Sequence, residues 1–105
     1  MAKAIARQAR ELTPEQRKFL KAQAHALKPV VMIGAQGLTE AVIQEAGRAL
    51  AAHELIKIRV LGDDREARET YLAELCATLG ASPVQHIGKL LLLYLAAEKP
   101  RLRLP

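Results

Sequence analysis

The sequence predicts one compact α/β domain of order αβαβαββ, with three helices on a four-stranded mixed sheet. Stretches of helical periodicity and of strand alternation take turns along most of the chain, the pattern of helices separating parallel strands. The last two strands are instead joined by the two-residue turn Gly88-Lys89, an antiparallel hairpin that makes the sheet mixed. At 105 residues, 50% of them apolar, the chain is long enough to bury a core without disulfide or metal staples.

Residues 1–11 form a basic, alanine-rich leader in which Lys3, Arg7 and Arg10 share one helical side. It suits a frayed terminus or an RNA-contacting arm; a targeting peptide fits less well, since the leader is short and contains no serine. The domain follows over 12–97 and a C-terminal tail over 98–105, with no repeat or linker between them.

Thr13-Pro14-Glu15-Gln16 opens the first helix, with Thr13 as N-cap, Pro14 in the first turn and Gln16 closing a capping box. Pro29 disfavours helical geometry at Lys28, so the helix is expected to run to about Leu27. At about 100° per residue, Phe19, Leu20, Gln23, Ala24 and Leu27 gather on one side. Arg17, Lys18, Lys21 and His25 fall on the other, and Lys28 extends their line. That stripe holds no acid, whereas a merely solvated face mixes both signs. An anion-binding face is the better account.

Val30–Ile33 is a buried strand that stops at Gly34-Ala35-Gln36-Gly37. A second helix follows over Thr39–His53, turning Leu38, Val42, Ile43, Ala46, Ala49 and Leu50 inward. A strand, a Gly-x-x-Gly turn and a helix start aim backbone N–H groups and a positive helix end at whatever lies above the loop. Gly34 and Gly37 permit positive φ and close approach of a sugar-phosphate chain, and Thr39 is placed to cap the helix or to bond a phosphate. Taken alone, the same tetrapeptide suits a plain tight turn slightly better. The anion-binding account carries an expectation: a bulky residue at Gly37 weakens RNA binding and leaves the fold intact.

Leu55–Val60 alternates as a half-buried strand, with Ile56, Ile58 and Val60 pointing one way and Lys57 and Arg59 the other. Gly62–Glu66 turns into the third helix, where Asp63 and Glu66 have the spacing of a second capping box. That helix buries Tyr71, Leu72, Leu75, Cys76 and Leu79 and ends at Gly80. Strands over Pro83–Ile87 and Leu90–Leu95 close the domain, and the unbroken run Leu90–Leu93 marks a central strand covered on both sides. The glycine loop then lies at an edge of the sheet.

The formal net charge of +5 suits a polyanionic partner. The aromatic rings are Phe19, Tyr71 and Tyr94, two of them on buried helical sides, so base stacking is not the main device. The longest apolar run, Leu90–Ala97, is too short to span a bilayer, and no hydrophobic signal segment is present. The single Cys76 excludes an internal disulfide and fits a reducing cytosol.

Catalytic readings find little support. There is no Walker loop and no nucleophile elbow. Asp63 is better explained as an N-cap than as half of a metal pair with Asp64. His53 suits a packed or capping residue, His86 alternates with Val84 as a strand residue, and His25 belongs to the basic side of the first helix, placed to bond a phosphate. No histidine pair has metal-ligand spacing with a third ligand, and Cys76 falls in the core. No metal, cofactor or small-molecule substrate is expected.

Leu27–Gly34, Gly37-Leu38-Thr39, His53–Ile58 and Ile87-Gly88-Lys89 follow in the order and spacing of the CRM domain, the chloroplast RNA splicing and ribosome maturation module. Over about residues 12–97 the chain resembles the bacterial stand-alone, YhbY-type form. The resemblance implies a fold similar to the C-terminal domain of bacterial initiation factor three. It also implies an RNA-binding protein without catalysis, a ribosome-assembly factor on the ribosomal RNA of precursor large subunits; a cytoplasmic monomer is expected. The loop residues Gly34, Ala35, Gln36 and Gly37, with Thr39, would then contact structured RNA. Because Ala35-Gln36 places no cation in the loop, charge must come from Arg17, Lys18, Lys21, Lys28, Lys57, Arg59 and Lys89. A protein-interaction adaptor, a small RNA-processing enzyme and a regulator of translation initiation are the alternatives.

Overall fold

The structure, a computed structural model, describes residues 11–105. The expectations for the leader lie, but for Glu11, outside the described residues. The described chain runs α1 (Pro14–Ala24), β1 (Val31–Ile33), α2 (Glu40–His53), β2 (Leu55–Val60), α3 (Arg65–Leu79), β3 (Ser82–Ile87) and β4 (Leu90–Tyr94). The strands form one sheet of order β1-β2-β4-β3. β1 and β2 are parallel, and β4 runs antiparallel to both of its neighbours. The leucine run is thus central, as its apolarity on both faces demands, and β1 with its glycine loop lies at the edge. β2 and β3 are each antiparallel to β4, so α3 makes a parallel crossover with β4 inserted between its two strands.

The helices divide between the faces. α2 and α3 cover one face, where Ile33, Ile56, Ile58, Val60, Leu91 and Leu93 pack with Ala46, Leu50, Leu75 and Cys76. α1 covers part of the other, setting Leu20 and Ala24 on Leu55, Val84, Leu92 and Tyr94. The tail folds back onto this second cluster through Leu102 and Leu104.

Glu54 holds the tail in place. It is fully buried, caps α2 with φ of 67°, and its carboxylate accepts from the backbone N–H groups of Ala97 (3.0 Å), Arg101 (3.0 Å) and Leu102 (3.0 Å). Burial works against this charge, yet the three backbone donors, aided by Arg101, outweigh it and hold the carboxyl below its ordinary value.

Several local expectations are corrected. α1 ends at Ala24 rather than Leu27, because the chain tightens into a turn in which Leu27 N–H donates to Ala24 O at 3.0 Å. Its buried side centres on Leu20 and Ala24, about 50° round the helix from the predicted centre. Gln23 and Leu27 are therefore exposed, while Arg17 on the basic side is half-buried. β1 starts at Val31; Val30 is 44% exposed.

At α3 the cap is Asp64, whose Oδ1 accepts from Ala67 N–H at 3.1 Å. Asp63 is drawn away instead to Lys89 Nζ at 2.9 Å. Val60 N–H donates to Lys89 O, which brings the Gly88-Lys89 turn alongside. In β3 a bulge between Pro83 and Gln85 breaks the expected alternation: Val84 joins the α1 cluster, whereas His86 meets side chains of α3. β4 ends at Tyr94 rather than Leu95.

Candidate nucleic-acid interface

The shortness of α1 decides where the sheet is open. The helix covers the half of its face toward Tyr94 and stops before the half toward the Gly88-Lys89 turn. The strand register sets two rows of side chains across the uncovered part. Lys57, Leu92 and Gln85 are partners in one row, and Met32, Arg59, Leu90 and Ile87 in the next. Met32 is 54% exposed and Ile87 52%, large apolar side chains left in water beside the exposed Arg59. Lys57 is half-buried, and its Nζ donates to Leu27 O at 2.8 Å, tying β2 to the α1–β1 connection.

The glycine loop continues this surface, since Gly34 lies two residues after Met32. Gly37 N–H donates to Gly34 O at 3.0 Å, closing a tight turn with Ala35 and Gln36 exposed at its tip. Gly34 is open: a Cβ added there would meet nothing within 4 Å. Gly37 differs. Its φ is 77°, and an added Cβ would come within 3.0 Å of Tyr71 Oη. The expectation that a bulky residue at Gly37 leaves the fold intact is thereby corrected, and Gly34 is the loop glycine with room for a side chain. Of the two roles open to Thr39, the structure holds the cap, with Oγ1 accepting from Val42 N–H at 3.2 Å.

The cations expected around the loop are not equivalent. Lys21 and His25 at the end of α1, with Lys57, line a notch of about 210 Å³ over the open sheet face. Arg59 lies on the same face. Lys18 and Lys28 are exposed on α1 and on the connection after it. Arg17 reaches sideways, Nη2 donating to Pro83 O at 3.4 Å. Lys89 at the hairpin turn is paired with Asp63; that hydrogen bond and the lysine's charge hold the Asp63 carboxyl below its usual range.

Two groups escaped sequence reasoning. The first is the apolar company of Arg59, namely Met32, Leu90 and Ile87, which only the strand register reveals. The second is buried Arg68, whose Nε donates to His86 Nε2 at 3.1 Å and whose Nη1 donates to Gly62 O at 3.3 Å. His86 Nδ1 lies 2.9 Å from Glu69 Oε2, and this hydrogen bond holds the Glu69 carboxyl low. His86 is thus bound into the α3–β3 contact. His53, expected to be packed or capping, is exposed, and Glu54 takes the cap. Burial pushes the Cys76 thiol up to about 12, leaving it protonated and unreactive at neutral pH.

Among the described residues no three His, Cys, Asp or Glu side chains are grouped to hold a metal, and no helix is long and apolar enough to cross a membrane. The arrangement offers a glycine turn with an exposed tip, a cationic strand face and an apolar strip beside it.

This chain is similar to known proteins in sequence and in fold. The family model of the CRS1/YhbY (CRM) domain matches residues 12–94. An RNA-binding protein of Haemophilus influenzae is 45% identical over 94 residues, covering 90% of this chain and 95% of that protein. A Pseudomonas aeruginosa protein named as a probable RNA-binding protein is 46% identical over 89 residues, 85% of this chain and 86% of its own length. The solution structure of a hypothetical Staphylococcus aureus protein, suggested to bind RNA, superposes with a TM-score of 0.80 at 29% identity. That match covers 90% of this chain and all of the other.

Proposed function

The chain belongs to the CRS1/YhbY (CRM) domain family, and on that premise we propose that it binds structured RNA along the Gly34–Gly37 loop and the uncovered sheet face. The observation that carries this reading is continuity: the open glycine turn passes through Met32 directly to exposed Arg59. Backbone N–H groups of the loop and the cations of β2 and α1 neutralise phosphates, so shape is read more than base sequence.

The RNA is ribosomal, in precursor large-subunit particles of the cytoplasm, and the protein acts there as a non-catalytic, monomeric assembly factor. Support for this finer reading is the family itself, whose model matches residues 12–94. Lys18, Lys21, Lys28, Lys57 and Arg59 supply the main positive field, with Arg17 and Lys89 at its margins.

Titration of the protein with a structured ribosomal RNA fragment at several salt concentrations tests the binding. With about five phosphates neutralised, log affinity falls against log salt with a slope of roughly −3.5 to −4.5. A slope near zero removes the electrostatic account. Affinity no tighter than for any acidic polymer favours an adaptor that docks on ribosomal or assembly proteins. Co-sedimentation with precursor large subunits in gradients of cell lysate tests the assembly role; a position free of all particles argues against it.

A further inference from the structure

The notch at the end of α1 does not have the character of a simple phosphate contact. Its floor is apolar, made by Leu90 and Leu92 of the central strand with Ile87 at the margin, and Leu92 is itself buried. Gln85 on β3 lines the same space, and its side-chain amide offers both a donor and an acceptor. Lys21 and His25 line it from the helix, and Lys57 from β2; no carboxylate is among its lining residues.

Two features argue for one class of occupant. Lys57 and Arg59 stand on the same side of β2, roughly 6.7 Å apart along the strand, a spacing that successive phosphates can follow. One of the three Lys57 donors is taken by Leu27 O, which leaves two for a ligand and fixes where they point. Beside each cation in its row comes a leucine of β4, then Gln85 or Ile87. The surface therefore pairs a charged track with an apolar strip at the distance between a nucleotide's phosphate and its base. A peptide strand would gain less, since the backbone groups of β2 and β4 here are already paired across the ladder.

We infer that this notch receives one unpaired nucleobase of the bound RNA, laid over Leu90 and Ile87 against Gln85, with its flanking phosphates on Lys57 and Arg59. The inference rests on the RNA-binding reading and sharpens it: the preferred RNA is a helix carrying a bulged or splayed nucleotide. A fully paired A-form helix keeps its bases stacked inside and has none to offer. The base is held on an aliphatic floor rather than between rings, consistent with the lack of exposed aromatic side chains.

The test uses the full chain and two RNA hairpins that differ only in one bulged nucleotide, titrated at the same salt. The bulged hairpin is expected to bind about tenfold tighter, a size in keeping with covering part of one base on an apolar floor. Gln85→Ala and Ile87→Ser change no charge, and Ile87 is half in solvent, so both variants fold. Both are expected to lose the preference for the bulge while binding the paired hairpin within about twofold of the parent. Equal affinity of the parent for the two hairpins overturns the base pocket and leaves RNA binding standing. A preference that survives both substitutions puts the base elsewhere and also overturns it. Failure to bind either hairpin overturns the RNA-binding reading together with this inference.

Discussion

On the face of the sheet under α2 and α3, Ile33, Ile58 and Leu91 are wholly buried. On the opposite face, Met32 and Ile87 of the same sheet stand half in water beside Arg59. The difference begins with helix length. α2 and α3, of 14 and 15 residues, are roughly 21 Å and 22 Å long, whereas the 11 residues of α1 give roughly 16 Å. One face is closed by two long helices; the other is closed at one end by a short helix and a folded-back tail. β2 shows the consequence within a single strand, as Ile56, Ile58 and Val60 serve the closed face and Lys57 and Arg59 the open one. The closed face holds the fold together and the open face is free to meet a ligand.

The largest test of this contrast is a pair of truncations. Ile58→Ala opens a cavity in the closed face and is expected to cost about 2–5 kcal/mol in denaturant unfolding. Met32→Ala, on the open face, is expected to stay within about 0.5 kcal/mol. Similar losses from the two would erase the distinction between the faces.

The tail clasp ranks next. Glu54→Gln keeps the shape but removes the charge that three backbone N–H groups converge upon, at an expected cost of about 1.5–3 kcal/mol. The pH dependence has a definite sign. A carboxyl held below its ordinary value of 4.5 stabilises the fold above that pH, and the contribution is lost as pH falls through the lowered folded value. Parent stability should therefore drop below about pH 4.5 more steeply than that of Glu54→Gln, whose curve lacks this group. Parallel acid-side curves would show that the clasp carries no charge-dependent stability.

What the sequence made legible follows the range of the interactions involved. Thr13 and Gln16 close their capping box within four residues, the alternation of β2 is visible in six, and the leucine run announces a central strand by itself. The glycine loop, likewise local, is at the expected edge. Misreadings came where the deciding partner is distant in sequence. The spacing of Asp63 and Glu66 reads locally as a capping box, yet Asp64 caps α3 and Lys89 across the turn takes Asp63. Leu102 and Leu104 of the tail pack against the cluster that α1 covers, and the partner of Lys57 is a carbonyl 30 residues away. His86 and Arg68 find each other through a bulge that no alternation pattern contains. The candidate site was half legible for the same reason: its cations and glycines are local signals, but its apolar strip exists only once the strands are in register.

The two glycines of the loop extend the contrast between folding and binding to a smaller scale. Gly37→Val places a β-branched residue at φ 77° against Tyr71 and is expected to cost about 1–3 kcal/mol of stability. Gly34→Glu enters open space, so its melting temperature should match the parent's, while a carboxylate set against phosphates lowers RNA affinity about tenfold. Equal thermal stability of the two variants, by calorimetry, would break this division.

Arg59→Ala is the smallest change and isolates the open face most cleanly. Arg59 is exposed, and Met32 and Leu90 beside it keep their own packing when it is cut back, so stability should move by less than about 0.5 kcal/mol. Removing one phosphate contact should make the salt dependence of RNA binding shallower by about one unit of slope, and by a similar amount for unrelated RNA sequences. Lys18→Ala, made on the outer side of α1, carries the same charge change without the position on the sheet. If Lys18→Ala flattened the slope and Arg59→Ala did not, the RNA would lie on the helix, and the uncovered face would need another occupant.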